Sequence, residues 1–329
     1  MTDTLADEIL RWDKEARAIL TSIKRIVEYF GTDEEYEWLL AALREPEAYR
    51  DGVLPAFRDP AWRADIPGVS IPRFTFERST AEKINPLLIL LAEPEPYFVS
   101  WARHDLEKAH LTPVLRHYGG FVGNFAINIC DPVWGSFPDL VPEGYPLGPS
   151  RPPISGHASK NVLTRNDAIG TTDTLADKIV RWDNETRAIL LSIKRIVEYF
   201  GTDEEYESLL AALRDPEAYF EGVLPSFRDP AWRAETPGCT DHKFKCERSI
   251  AEKITPLLQI LVEPVPEFIP WARKELETEH FEALMRHAGK FLGDIATDIC
   301  KPIWQGFPDL APEGWQPGLK DGSEDTRQG

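Results

Sequence analysis

The sequence predicts an all-α protein in which two tandem homologous helical-bundle domains follow one another. Apolar residues recur every three or four positions from Leu5 to Phe30, which is the spacing of one face of an α-helix. The same pattern returns from Leu175 to Phe200, at a constant offset of about 170 positions. Residues 2–148 align with residues 172–318 without a gap, and about two positions in three are identical. This self-similarity indicates a tandem duplication.

The self-similarity also predicts the domain organisation. Residues 1–148 are expected to form repeat 1, and residues 172–318 to form repeat 2. Residues 149–171 are rich in Pro, Ser, Asn and Gly and are predicted to be a linker long enough for the repeats to dock. The polar tail, residues 319–329, is predicted to be disordered. We expect the repeats to pack on each other about a pseudo-twofold axis, as a dimer fused into one chain.

The opening helix is predicted to be the axis of each bundle. Leu20 and Val27 lie beside its apolar stripe and make it wider than the seam of a two-stranded coiled coil. At 1.5 Å per residue, the segment from Leu5 to Phe30 would be roughly 39 Å long. We therefore expect shorter helices to pack against it. Gly31 is expected to end it in a left-handed turn.

The next segment carries both start and stop signals. Thr32 and Glu35 have the spacing of a capping box, which predicts the start of a second helix. That helix is expected to end near Arg44, because the prolines between residues 45 and 67 each remove a backbone donor. Only short helical pieces are expected there.

Three further helical regions are predicted in the second half of the repeat. Ser79 and Glu82 are interpreted as another capping box, and Pro86 is expected to break that helix and start a new one. Periodic apolar residues predict helices over Tyr97–Lys108 and Thr112–Ile129.

Composition limits the classes of function. The chain carries 37 basic and 55 acidic residues, a formal charge of −18 that repels nucleic acid and anionic lipid. No apolar run approaches the roughly 20 residues of a membrane helix, and the charged N-terminus is unlike a signal peptide. Cys130 and Cys300 lie in apolar surroundings, so reduced thiols are expected. These observations favour an acidic cytoplasmic protein with neither a nucleic-acid nor a membrane partner.

Two groups of residues contain side chains that bind metals, but in neither group does the spacing predict a metal site. His110 and His117 recur in repeat 2, but seven helical residues separate such a pair by roughly 10.5 Å, too far to share one ion. Cys239, His242 and Cys246 could be three ligands, but repeat 1 has no ligand residues at the equivalent positions and no fourth ligand is evident. We predict no metal and no cofactor, and we expect an exposed loop at the cysteines.

A retained trio in the second half of the repeat is the main candidate for chemistry. Within residues 111–120 only Arg116, His117 and Gly119 match the other repeat. A histidine there could act as a general base, whereas a hydrogen-bonded core histidine is the alternative. Adjacent helical residues point about 100° apart, so Arg116 could serve the same pocket only from its edge. Gly119 and Gly123, one turn apart, are expected to let another helix approach closely. The catalytic candidates in the two repeats are His117 and His287.

Recurring tryptophan and arginine residues are the main candidates for binding. They could line a pocket that stacks a flat or anionic ligand, whereas core tryptophans with solvent-directed arginines are the alternative. The candidates are Trp62, Arg63, Trp101, Arg103, Arg116 and Trp134 in repeat 1, and Trp232, Arg233, Trp271, Arg273, Arg286 and Trp304 in repeat 2.

Two functions remain open from the sequence. The first is a binding or interaction protein that offers one similar aromatic-lined groove per repeat to a small molecule or a protein. The second is an enzyme that acts on a small hydrophobic or anionic substrate with a histidine general base in each repeat. Burial separates the two hypotheses, because a catalytic histidine needs access to solvent and a second polar group.

Overall fold

The structure is a computed structural model, and helices are the only regular secondary structure in the residues that it describes. The predicted all-α class is therefore confirmed for this part of the chain. None of these helices combines the length and the apolarity that crossing a membrane requires. The described residues are 2–62, 76–92, 97–145, 174–232, 242–262 and 268–315.

Repeat 1 contains one long helix followed by shorter ones. A π-helical segment, Ala126–Cys130, joins its last two helices, and a 3₁₀ turn, Pro138–Leu140, follows them. Its helices are α1 (Thr2–Phe30), α2 (Asp33–Asp51), α3 (Val53–Arg58), α4 (Arg78–Ala92), α5 (Tyr97–Asp105), α6 (Lys108–Phe125) and α7 (Asp131–Ser136).

Repeat 2 has its elements in the same order. The π-helical segment is Ile295–Cys300, and the 3₁₀ turn is Pro308–Leu310. Its helices are α8 (Leu175–Phe200), α9 (Asp203–Glu221), α10 (Val223–Arg228), α11 (Arg248–Leu261), α12 (Phe268–Glu275), α13 (Thr278–Asp294) and α14 (Lys301–Gly306).

The chain divides into two compact units, and the segment 187–192 of α8 belongs to the first unit. Inside unit 1 the buried hydroxyl groups of Ser22 and Ser192 lie 2.8 Å apart, and the two serines hold equivalent positions in the repeats. Unit 1 is Met1–Thr172 with Arg187–Ser192, and unit 2 is Asp173–Thr186 with Ile193–Gly329.

The apolar stripe of α1 forms the core of repeat 1. Leu5 and Ile9 pack with Phe98 and Val99 of α5 and with Val114 of α6. Helix α1 also contacts α2, α3 and α4, so it occupies the central place that its wide stripe predicts. The equivalent cluster of repeat 2 joins α8 to α10, α12 and α13.

The capping box at the start of α2 is confirmed, but the expected turn before it is wrong. Thr32 and Glu35 exchange the two hydrogen bonds of the box. Gly31 does not adopt a positive φ, which among the described residues occurs only at Gly144 and Gly314. A Cβ on Gly31 would lie 2.6 Å from the Val27 carbonyl oxygen, so lack of space accounts for this glycine.

Two prolines were wrongly expected to end or break helices. Helix α2 continues through Pro46 to Asp51, and α4 continues through Pro86. Each proline forfeits one backbone hydrogen bond, but both rings are buried, and tertiary packing offsets the loss. The capping box predicted at Ser79 is also wrong, because α4 begins one residue earlier, at Arg78.

The last long helix extends further than the sequence predicts. It was expected to end at Ile129, but helical backbone continues from α6 through the π-helical segment to Ser136. The wider π turn accommodates a proline that has no N–H to donate. In repeat 2 this proline is Pro302, and the Asp298 carbonyl oxygen accepts a hydrogen bond from the Phe244 N–H instead, at 2.8 Å.

Candidate functional site

His117 lies on α6 between two aromatic rings. Only 4% of its surface is exposed. The ring centroid of Trp62, which follows α3, is 5.3 Å from that of the imidazole, and the Tyr49 ring on α2 is 6.1 Å from it. We call His117, Trp62, Tyr49 and Gly52 the His117 cluster. Side chains of α2, of α6 and of the segment that follows α3 therefore meet around one buried histidine.

Gly52 leaves the space that the histidine ring occupies. A Cβ added to Gly52 would lie only 2.4 Å from Nδ1 of His117, which is well inside van der Waals contact. Gly52 connects α2 to α3, with φ −81° and ψ −16°. These angles are open to any residue, so Gly52 is needed for close packing and not for its conformational freedom.

Repeat 2 contains the same arrangement, the His287 cluster. The Trp232 ring lies 5.2 Å from the imidazole of His287, and the Tyr219 ring lies 6.3 Å from it. A Cβ on Gly222 would lie 2.5 Å from both His287 Nδ1 and Trp232 Cζ3. His287 is 2% exposed. The two clusters are therefore built from the same residue types in the same places.

The close approach of another helix occurs at a different glycine from the predicted pair. An added Cβ on Gly119 or Gly123 would meet nothing within 4 Å, so that expectation is wrong. At Gly120 it would lie 2.3 Å from Cδ1 of Tyr49, so Gly120 allows the contact between α6 and α2. Gly119 faces solvent, which explains why the retained position serves no packing role.

The clusters differ at the position that contacts the tyrosine. Repeat 2 has Lys290 where repeat 1 has Gly120. The Lys290 Nζ lies 5.5 Å from the centroid of the Tyr219 ring and forms an ion pair with Asp294. The His287 cluster therefore has a cation near its tyrosine, whereas the His117 cluster has a glycine, which has no side chain, at the same position.

The remaining members of the retained trio do not join the histidine. Arg116 and Arg286 are exposed, whereas the histidines beside them are buried, as the angle between adjacent helical residues predicts. His110 donates from Nδ1 to the Phe57 carbonyl oxygen at 3.1 Å. This bond fastens α6 to α3, a structural role outside the His117 cluster.

The other candidate tryptophans lie apart from the histidine rings. Trp101 and Trp271 are 44% and 45% exposed on α5 and α12, and the Lys178 Nζ lies 4.2 Å from the Trp271 ring. Arg103 is exposed on α5, and the Arg273 guanidinium lies 5.5 Å from the Phe281 ring.

Trp134 and Trp304 are core residues. Trp134 is fully buried, and its Nε1 donates to Asn85 Oδ1 at 2.8 Å. Its ring packs edge-on against Tyr145, whereas Trp304 packs against Trp315. Of the twelve candidate binding residues, Trp62 and Trp232 contact the histidine rings in the described part of the chain. Arg63 and Arg233 lie outside the described residues.

The three cysteines that the structure describes are not arranged for nucleophilic chemistry. Cys130, Cys246 and Cys300 are free thiols, and burial raises the pKa of each above its usual value, to about 12 at Cys246. A thiol with so high a pKa is almost entirely protonated at neutral pH and is a poor nucleophile. The described residues contain no group of three potential metal ligands, and Cys239 lies outside them.

Sequence reasoning found the histidine and the tryptophan of each cluster but missed Tyr49 and Gly52. Both match repeat 2, where Tyr219 and Gly222 stand. In the first 68 residues, however, about four positions in five match, so a match there carries little information. Chemically, each cluster contains a half-buried tryptophan that contacts the imidazole of the histidine. No family model, no curated protein and no solved structure matches this chain.

Proposed function

We propose that this chain is a cytoplasmic binding protein, formed by tandem duplication, in which each repeat offers one aromatic binding surface. In repeat 1 the surface is centred on the half-buried ring of Trp62, and in repeat 2 on that of Trp232. The ligand class is a small planar molecule, neutral or anionic, that stacks on the indole. A partner that carries two such groups would gain avidity by engaging both repeats.

The repeated geometry of the two clusters carries this proposal. The distance from histidine to tryptophan is 5.3 Å in one repeat and 5.2 Å in the other. Elsewhere the core has been rebuilt: Arg50 and Tyr118 of repeat 1 correspond to Phe220 and Ala288 of repeat 2. His117 and His287 lie in the part of the repeat where only about half of the positions match, so their retention supports a shared function.

The alternative, an enzyme with His117 and His287 as general bases, has less support. A general base must come within hydrogen-bonding distance of a substrate proton. Both imidazoles are almost fully buried, and each packs against a tryptophan ring and a tyrosine ring. Each also lies so close to a glycine that a Cβ added there would overlap the imidazole. This burial favours a histidine that positions the tryptophan ring.

Titration calorimetry with 2-naphthoate, a planar anion, tests the binding proposal on the full chain. We expect two sites per chain, one site in Trp62→Ala or Trp232→Ala, and none in the double variant. The matched control is Tyr29→Ala with Tyr199→Ala, which removes two exposed aromatic rings outside the clusters and should leave two sites. One site in the wild type, or two sites in the double tryptophan variant, would contradict the proposal.

We also propose that the repeats dock as an intramolecular dimer about a pseudo-twofold axis. Support comes from the hydrogen bond between Ser22 and Ser192 inside unit 1, because contact between equivalent positions is what a twofold axis produces. The double variant Ser22→Cys with Ser192→Cys should form an intramolecular disulfide under mild oxidation. Two free thiols at these positions after oxidation, measured by mass spectrometry, would exclude this docking.

A further inference from the structure

Asn85 joins two elements of repeat 1 through a single carboxamide. Its Oδ1 accepts a hydrogen bond from Trp134 Nε1 at 2.8 Å. Its Nδ2 donates to the Leu140 carbonyl oxygen at 3.1 Å. Helix α4 is thereby tied both to α7 and to the 3₁₀ turn that follows it. An indole donor and a backbone acceptor are satisfied by one side chain.

Repeat 2 replaces only half of this arrangement. Thr255 stands in the place of Asn85, and Trp304 keeps the indole N–H. Gln259, which corresponds to Ile89, donates from Nε2 to the Leu310 carbonyl oxygen at 3.3 Å. The backbone acceptor thus has a new donor one turn along α11. The indole donor has no comparable replacement.

Two buried polar groups consequently lack a hydrogen-bond partner within the described ranges. They are Trp304 Nε1 and Thr255 Oγ1, on side chains that are 3% and 6% exposed. A threonine hydroxyl inside a helix usually bonds to a carbonyl three or four residues earlier, and Thr255 does not. Buried polar groups in folded proteins are nearly always hydrogen-bonded, to protein or to ordered water.

The side chains around the two indoles also differ between the repeats. Threonine has one side-chain heavy atom fewer than asparagine. The ring of Trp315 lies 5.6 Å from that of Trp304, whereas the ring of Tyr145 lies 4.3 Å from that of Trp134. A buried water needs a space of about one probe sphere and at least two polar partners. Trp304 Nε1 and Thr255 Oγ1 are two such polar partners.

We propose that repeat 2 holds one buried water molecule between Trp304 Nε1 and Thr255 Oγ1. The water accepts a hydrogen bond from the indole, as the carboxamide oxygen of Asn85 does in repeat 1, and shares a second with the threonine hydroxyl. The site is specific to repeat 2, since Asn85 itself occupies the equivalent place in repeat 1. It is independent of the proposed binding surfaces.

Water-selective nuclear Overhauser spectroscopy of the ¹⁵N-labelled full chain tests this site. The indole N–H of Trp304, assigned by its loss in Trp304→Phe, should show a cross-peak to water. The indole N–H of Trp134 is the internal control and should show none, because Asn85 already accepts its hydrogen bond. Absence of the Trp304 cross-peak, or equal cross-peaks at both indoles, would overturn the proposal.

Substitutions at Thr255 test whether the site needs the threonine hydroxyl. Thr255→Asn supplies the missing carboxamide oxygen, so the cross-peak should disappear. Thr255→Val keeps the shape of the side chain but removes the hydroxyl, so the water loses one of its two polar partners and the cross-peak should weaken or disappear. Thr255→Ser keeps the hydroxyl and is the matched control, so the cross-peak should persist. A full cross-peak in the asparagine or valine variant, or its loss in the serine variant, would overturn the proposal.

Discussion

At the scale of single residues, space and hydrogen bonding explain positions whose roles the sequence leaves open. Gly52 is buried beside His117 because no side chain fits between α3 and α6. Glu35 is a carboxylate that is 1% exposed and serves two helices. Its Oε2 accepts from the Thr32 N–H, and its Oε1 accepts from the Glu77 N–H just before α4. Such contacts across the chain have no local signature.

Gly52→Ala should destabilise the protein. The added Cβ would lie 2.4 Å from His117 Nδ1, and overpacking of this kind costs about 1–3 kcal/mol. Gly119→Ala is the matched control: its Cβ would meet nothing within 4 Å, and alanine favours the helix by about 0.5–1 kcal/mol. Urea unfolding should give opposite signs for the two variants. Equal free energies of unfolding for Gly52→Ala and the wild type would show that the histidine ring has room to move.

Glu205→Gln should lower the free energy of unfolding at neutral pH. The free energy of unfolding of this variant should then decrease less in acid than that of the wild type. Burial raises the pKa of Glu205, but N–H donors of Glu247 and Thr202 outweigh it, so the net pKa is lowered from 4.5. A lowered pKa stabilises the fold above about pH 4.5, and this stability is lost as the pH falls through the folded-state pKa. Glutamine can keep the geometry of the capping box but not the negative charge, so the loss at neutral pH is that of charge-assisted relative to neutral hydrogen bonds, about 1 kcal/mol.

The measurement for Glu205 is the free energy of unfolding at pH 7 and at pH 3. The gap between wild type and Glu205→Gln should be larger at pH 7 than at pH 3. Glu204→Gln, exposed in the same helical turn, is the control and should leave a much smaller gap. A gap of the same size at both pH values would mean that this carboxylate is not linked to acid unfolding.

At the scale of helices, the sequence pattern predicts a helix whose buried residues recur with the period of the α-helix. It fails where contacts with residues distant in the sequence determine whether a helix continues. The stripe of α1 is predictable because its residues follow the 3.6-residue turn. The passage of α2 through Pro46 is not, because the burial of that ring depends on residues distant in sequence. For the same reason the sequence identified His117 and Trp62 as separate candidates but could not place them against each other.

Trp12 on α1 and its counterpart Trp182 on α8 each contact several aromatic rings, but one of these rings comes from a different helix in each repeat. In repeat 1, Trp12 contacts Tyr118 of α6, at 5.5 Å between ring centroids. In repeat 2, Trp182 contacts Phe220 of α9 at the same distance, 5.5 Å. This aromatic neighbour of the tryptophan therefore comes from α6 in repeat 1 and from α9 in repeat 2.

Tyr118→Ala should be strongly destabilising, and Arg50→Phe should partly rescue it. Truncation of a large buried aromatic costs about 3–5 kcal/mol, and phenylalanine at position 50 supplies the ring that Phe220 provides in repeat 2. Urea unfolding of both single variants and of the double variant measures the coupling between the two positions. Strictly additive effects would show that the two aromatic positions do not substitute for one another.

At the scale of the whole molecule, charge is the property that composition predicts most directly. The chain holds 55 acidic and 37 basic residues, and its isoelectric point is about 4.9. Short ion pairs such as Arg78 with Asp139, which lowers the pKa of that carboxyl, recur in repeat 2 between Arg248 and Asp309. These local pairs leave the overall excess of negative charge unbalanced.

Added salt should therefore raise the thermal stability at neutral pH. An increase in ionic strength from 0.01 to 0.15 M shortens the Debye length from about 30 to about 8 Å. Repulsion among the excess carboxylates acts over such distances and is screened, whereas ion pairs in direct contact lose less. We expect the midpoint of thermal unfolding, followed by circular dichroism, to rise by a few degrees.

Thermal unfolding at the same two ionic strengths, but near the isoelectric point, provides the control for the salt effect. At about pH 4.9 the net charge is close to zero, so long-range repulsion no longer opposes folding. Salt then acts mainly on the short ion pairs, and the increase in the unfolding midpoint should vanish or change sign. An equal increase at both pH values would assign the effect to preferential hydration by the salt and not to charge screening.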